Sequence, residues 1–175
     1  MIIQLLGANG AGKSTIVKHL LSEQTAVAIK FLGRKRPDAM LLDDVFIAGH
    51  YEGSACGGAD TLPATEVQMV LRKMLEGASV PVLIEGPTGR EPTLPGDVRA
   101  IYIRRDHEDN FASWSERQLA KGLLINRDVM MRRIRSTTKR CDNIVQEYTR
   151  RGLIVTTTSS REAAEATIRK ILRRD

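Results

Sequence analysis

Gly7-Ala8-Asn9-Gly10-Ala11-Gly12-Lys13-Ser14 decides the fold. It fits G-x-x-x-x-G-K-[ST] at every fixed position. The apolar run Met1–Leu6 precedes it, and Lys13–Ser22 follows with Ile16, Val17, Leu20 and Leu21 on one helical face. A strand, a glycine loop and a helix in that order make a phosphate cradle. Glycines let backbone N–H groups turn inward, and the helix aims its positive end at the anion. The spacing G-x-x-G-x-G departs from the G-x-G-x-x-G of dinucleotide sites. Gly7, Ala8, Asn9, Gly10, Ala11, Gly12, Lys13 and Ser14 are therefore the expected phosphate-binding residues. Lys13 is expected to reach the β- and γ-phosphates, and Ser14 to offer its hydroxyl to Mg²⁺.

Outward from the loop, strand and helix signals alternate. Extended segments are read at Thr25–Gly33, Val45–His50, Val80–Glu85, Val98–Arg104 and Leu153–Thr157. Helices are read at Pro63–Glu76, Glu108–Lys121, Val129–Thr149 and Ser160–Arg173. This pattern predicts an α/β chain with the P-loop NTPase fold. It implies a mainly parallel five-stranded sheet, helices on both faces and a helical lid of the nucleoside/nucleotide-kinase kind. The length of 175 residues suits a single domain, 1–175, with the lid at about 122–140.

Composition narrows the class. Hydrophobic residues make up 42% and charged residues 27%, so a core needs no metal or disulfide to hold it. The apolar runs Ala26–Ile29 and Val80–Ile84 are strand-sized, and no membrane span or signal peptide is expected. Cys56 and Cys141 lack C-x-x-C spacing and read as free thiols in a reducing cytoplasm. His19, His50 and His107 show no metal-ligand spacing. The formal net charge is +6. Residues 1–103 carry a net −1 and residues 104–175 a net +7. That asymmetry suits either a polyanionic partner or arginines kept for ATP phosphates.

A P-loop enzyme also needs a carboxylate near the phosphates, to hold Mg²⁺ or take the acceptor's proton. Glu85 ends the apolar strand Val80-Pro81-Val82-Leu83-Ile84, at the end where α/β sheets bind ligands. The segment Gly49–Leu62 is rich in small residues and lets a bulky ligand approach backbone amides. Its His50, Tyr51, Gly57, Gly58 and Asp60 are candidate substrate-binding residues. Tyr51 can stack on a base. Asp60 either caps the next helix or serves as the acceptor's base.

Arg127, Arg132, Arg133, Arg135, Lys139 and Arg140 place six positive charges in fourteen residues. Arg127 or Arg132 is the candidate lid arginine for the transferring phosphoryl group. Others of the six form a solvated face or a track for a nucleic-acid backbone. Trp114, with Arg117 nearby, is either core or a stacking platform, and Cys56 is a small packed residue rather than a nucleophile.

The loop Gly7–Ser14, the stretch His50-Tyr51 through Cys56-Gly57-Gly58-Ala59-Asp60-Thr61, and Leu83-Ile84-Glu85-Gly86 together resemble bacteriophage P-loop kinases of the thymidylate-kinase type. The group includes the 5-hydroxymethyluracil DNA kinases. The resemblance implies ATP, bound at Gly7–Thr15, and Mg²⁺ as cofactors and DNA carrying a modified pyrimidine as acceptor, with a free deoxynucleotide as the alternative. It also implies the host cytoplasm as location. Glu85-Gly86-Pro87 stands where thymidylate kinases carry an Asp-Arg motif, which turns the reading away from free thymidylate. A GTPase would need Asn-Lys-x-Asp, and the nearest stretch is Asn126-Arg127-Asp128. A binding module that uses ATP only structurally is the remaining class.

Overall fold

The computed structural model describes residues 1–33, 35–51, 62, 66–77, 80–87, 94 and 96–172. In chain order the elements are β1 (Ile2–Gly7), α1 (Lys13–Glu23), β2 (Val27–Ile29), β3 (Ala39–Leu41), β4 (Phe46–Ala48) and α2 (Val67–Gly77). Then follow β5 (Val82–Glu85), β6 (Val98–Ile103), α3 (His107–Leu119), α4 (Arg127–Arg150), β7 (Ile154–Thr158) and α5 (Arg161–Leu172).

The seven strands form one sheet in the order β2-β3-β4-β5-β1-β6-β7. The expectation of five strands holds only for its parallel part. Strand β1 pairs in parallel with β5 and β6, β5 with β4, and β6 with β7. Strands β2 and β3 extend it as an antiparallel edge. The predicted strand Thr25–Gly33 is shorter, because the chain turns back after Ile29. Asp38, fully buried, ties that turn by accepting hydrogen bonds from the amides of Phe31 at 2.7 Å and Leu32 at 2.9 Å. Strand β3 follows it directly and carries only three residues, too few to show a period in sequence.

Both faces of the sheet are covered, because strand side chains alternate. Ile2 and Leu6 of β1 pack in one core with Val70, Leu71 and Met74 of α2 and with Cys141, Ile144 and Tyr148 of α4. Ile3 and Leu5 pack in the other with Ile16, Val17 and Leu20 of α1 and Ala164, Ile168 and Ile171 of α5. A third cluster joins Ala8 of the phosphate loop to Trp114 of α3 and to Met130, Met131 and Ile134 of α4. Helices α3, α4 and α5 begin on side-chain caps. Asp106 accepts from the Glu108 amide at 2.7 Å, Asn126 from Val129 at 3.0 Å, and Ser160 from Ala163 at 3.1 Å. No helix among the described residues is long and apolar enough to cross a membrane.

Candidate active site

The first turn of α1 has no side-chain cap. Its N-cap is Gly12, so the turn presents its amides at the loop. Lys13 folds back over the loop, and its Nζ donates to the carbonyls of Gly7 at 2.8 Å and Ala8 at 3.1 Å. Gly10 lies at φ 88°, and a Cβ there would sit 2.0 Å from the Asn110 carbonyl oxygen. Only glycine allows that approach. Asn110 itself is buried at the start of α3, so this helix forms the loop's back wall. Behind Gly12 stands the aliphatic stem of Arg161, 2.9 Å from where a Cβ would be.

Ser14 and Glu85 meet. Ser14 Oγ donates to Glu85 Oε1 at 2.9 Å, although 71 residues separate them in sequence. The sheet explains this: β1 and β5 pair Leu5 with Glu85, so the carboxylate emerges beside the loop. Glu85 is 5% exposed. A hydroxyl and a carboxylate oxygen side by side at a phosphate cradle are the hard-oxygen donors that suit Mg²⁺.

A cavity of about 290 Å³ opens over this pair. Lys13, Ser14 and Glu85 form its floor, and Trp114, Arg117 and Arg140 stand around it. Trp114 is core and wall at once, being 8% exposed yet lining the cavity. A second cavity, which shares Gly10, Gly12 and Arg117 with the first, is also lined by Thr15, Arg105 and Arg161. Cys141 lies under the loop. Burial pushes its thiol up, against the opposing pull of the Gly7 backbone and the Lys13 charge.

The arginines of α4 are sorted by helical phase. Arg127 pairs with Glu108 of α3 at 2.6 Å and lies 4.6 Å over the Phe111 ring. Arg132 lines an open cavity with Asn9, Arg133 and Thr137. Arg117 and Arg140 reach the main cavity instead. The sequence signal for these two was weak: Trp114 and Arg117 are three apart on α3, as are Thr137 and Arg140 on α4.

His50 and Tyr51 follow Gly49 at the end of β4. Ile47 of β4 pairs with Leu83 of β5, so the chain leaves the sheet beside Glu85. Tyr51 is buried and His50 half-buried. Asp60, Gly57, Gly58 and Cys56 lie outside the described residues.

The sequence matches no protein-family model and no curated protein. Among solved structures it is similar to a deoxyadenosine kinase from M. mycoides, solved with the products dCMP and a flexible dCDP bound. The TM-score is 0.50 at 14% sequence identity, over 99% of this chain and 98% of that one. The chain thus has the α/β P-loop fold of nucleoside kinases.

Proposed function

We propose that the chain is an ATP- and Mg²⁺-dependent kinase that phosphorylates a hydroxyl on a nucleoside unit. The observation that carries this is the Ser14–Glu85 contact at 2.9 Å inside a complete phosphate loop. Residues 1–175 act as one kinase domain with its lid at about 122–140, in the cytoplasm. Gly7 to Thr15 cradle the nucleotide phosphates. Ser14 and Glu85 would hold Mg²⁺, which when bound neutralises phosphate charge.

The reaction is in-line transfer of the γ-phosphoryl group. The acceptor oxygen bonds to phosphorus as the bond to the β-phosphate oxygen breaks, and ADP leaves. Lys13 exchanges its two loop carbonyls for phosphate oxygens and neutralises their charge. Arg117 and Arg140, which line the main cavity, would neutralise the charge that develops on the phosphoryl group, with Arg132 of the adjoining cavity beside them. Asp60 or Glu85 takes the acceptor's proton. His50, Tyr51, Gly57 and Gly58 hold the acceptor.

The favoured acceptor is the hydroxymethyl group of 5-hydroxymethyl-deoxyuridine in DNA. Arg132, Arg135 and Lys139 are exposed along one stripe of α4, with Arg133 beside it, next to Asn9 of the loop. Of the three acids of α4, Asp142 accepts from Tyr102 and Glu147 pairs with Arg150, which leaves Asp128 in the first turn as the one acid beside the stripe. A stripe of that kind suits a phosphate backbone. The second reading is a free deoxynucleotide acceptor, favoured by the shared fold with a kinase that holds dCMP and dCDP.

Labelled γ-ATP and Mg²⁺, offered with 5-hydroxymethyluracil DNA and with a panel of free deoxynucleoside monophosphates, separate the two readings. Label on modified DNA only, lost in Lys13→Ala, supports the DNA kinase. Label on a free nucleotide supports the alternative. No transfer to either acceptor, with retained nucleotide binding, removes the kinase reading.

A further inference from the structure

A hydrogen-bonded chain runs through the core on the α4 side of the sheet. The Leu94 amide donates to Tyr148 Oη at 2.9 Å. Tyr148 Oη donates to Gln4 Oε1 at 2.6 Å, and Gln4 Nε2 donates to the Gly86 carbonyl at 3.1 Å. Gln4 and Tyr148 are both 0% exposed. A buried amide and a buried phenol cost free energy unless every polar atom is matched, and an apolar pair would pack β1 against α4 without that demand.

The far ends of the chain show what it serves. Gly86 keeps its amide in the sheet, donating to the Leu5 carbonyl at 2.8 Å. Its φ of 85° turns the carbonyl out of the ladder, and Gln4 receives it. Both groups belong to the residue immediately after Glu85: its N–H lies in the peptide that leaves Glu85, and its carbonyl in the next one, toward Pro87. Gln4 is on β1, which also carries the phosphate loop, and Leu5 beside it pairs with Glu85. The Gln4 amide can satisfy Gly86 only when its oxygen faces Tyr148, so Tyr148 sets the orientation of the amide.

We propose that Gln4 and Tyr148 are positioning residues that fix the exit of β5, and with it the Glu85 carboxylate against Ser14. They act from the core without touching substrate. The inference rests on the reading of Ser14 and Glu85 as the Mg²⁺ residues. Groups that orient metal ligands from behind typically contribute about 10–100-fold to metal affinity.

The test uses Trp114, the sole tryptophan, which lines the cavity and so reports nucleotide binding by its fluorescence. ATP is titrated with and without Mg²⁺ into the wild type, Tyr148→Phe, Gln4→Met and the control Tyr102→Phe. The control removes a phenol that donates to Asp142 at 2.9 Å with no link to Gly86. Thermal unfolding is followed by circular dichroism in parallel. The expected result is a loss of about tenfold in the Mg²⁺-dependent gain in affinity for Tyr148→Phe and Gln4→Met. Mg²⁺-free ATP binding stays at the wild-type value, and Tyr102→Phe keeps the whole gain. Equal weakening with and without Mg²⁺, or no change in either variant, overturns the proposal. A wild type that binds ATP with no gain from Mg²⁺ overturns the underlying reading of Ser14 and Glu85 as well, a result distinct from failure in the variants alone. If one variant does not fold, the other decides.

Discussion

Ser14 Oγ and Glu85 Oε1 lie 2.9 Å apart, joining the first turn of α1 to the last residue of β5. Two oxygens held by a helix and a strand are placed more rigidly than two on loops, and their effects on turnover should couple. Ser14→Ala and Glu85→Gln are each expected to lower kcat on the order of 10²-fold. The double variant should lose far less than the product of the two, since both remove one unit. Steady-state kinetics over a Mg²⁺ series checks this, and independent, multiplicative losses would separate the two residues' roles.

Gly10→Ala places a methyl on the Asn110 carbonyl, 2.0 Å away, at a φ of 88°. Backbone cannot give way as a flexible side chain does. The variant should lose about 3 kcal/mol or more of stability and bind ATP weakly if at all. A melting temperature within a degree or two of the wild type would show that α3 can retreat from the loop.

The stripe on α4 predicts a salt dependence. Arg135 and Lys139 are exposed and touch neither cavity of the phosphate loop. Replacing both by Ala should weaken DNA binding and reduce the slope of log K against log [salt] by roughly 1.8, or about 0.9 per lost phosphate contact. Fluorescence anisotropy with a labelled duplex measures it. An unchanged slope would place the DNA on another face.

Arg169 joins α1 to α5. It pairs with Glu23 at 2.8 Å and with Glu165 at 2.6 Å, and Glu165 also meets His19 Nδ1 at 2.8 Å. Burial works to raise the Glu165 carboxyl, but Arg169 and His19 outweigh it and hold it below the usual carboxylate range. A depressed carboxylate contributes stability above its unfolded pKa of about 4.3 and loses it as pH falls through the folded value. Arg169→Met should therefore melt roughly 2–4 °C lower at pH 7. The gap to the wild type should close as pH drops below about 4. A gap that stays the same across the whole acid range would assign the loss to packing of the arginine stem.

The parts of this site that were legible in the sequence are those fixed by short spacing. The loop Gly7–Ser14 announces itself within eight residues, and Glu85 is marked by the uniform strand before it. What the sequence hid depends on register and phase. The run Arg127–Arg140 reads as one basic block. The helix turns Arg127 to Glu108 and Phe111, Arg132 to the open side of Asn9, and Arg140 into the main cavity. Gln4 looked like any polar residue in a strand, and its value appears only when β1 and α4 bring Tyr148 to it. Strand β3 is hidden for a plainer reason: three residues cannot display a period.

The phosphate loop lies within the first fifteen residues, but its walls come from far down the chain. Gly10 leans on Asn110, and Gly12 on Arg161. During synthesis the ribosome delivers the signature first and its supports last. A nascent chain halted before α3 carries every residue of the loop without the surfaces that shape it. Nucleotide capture should therefore switch on late, when α5 emerges and closes on Gly12, rather than grow as the polypeptide lengthens.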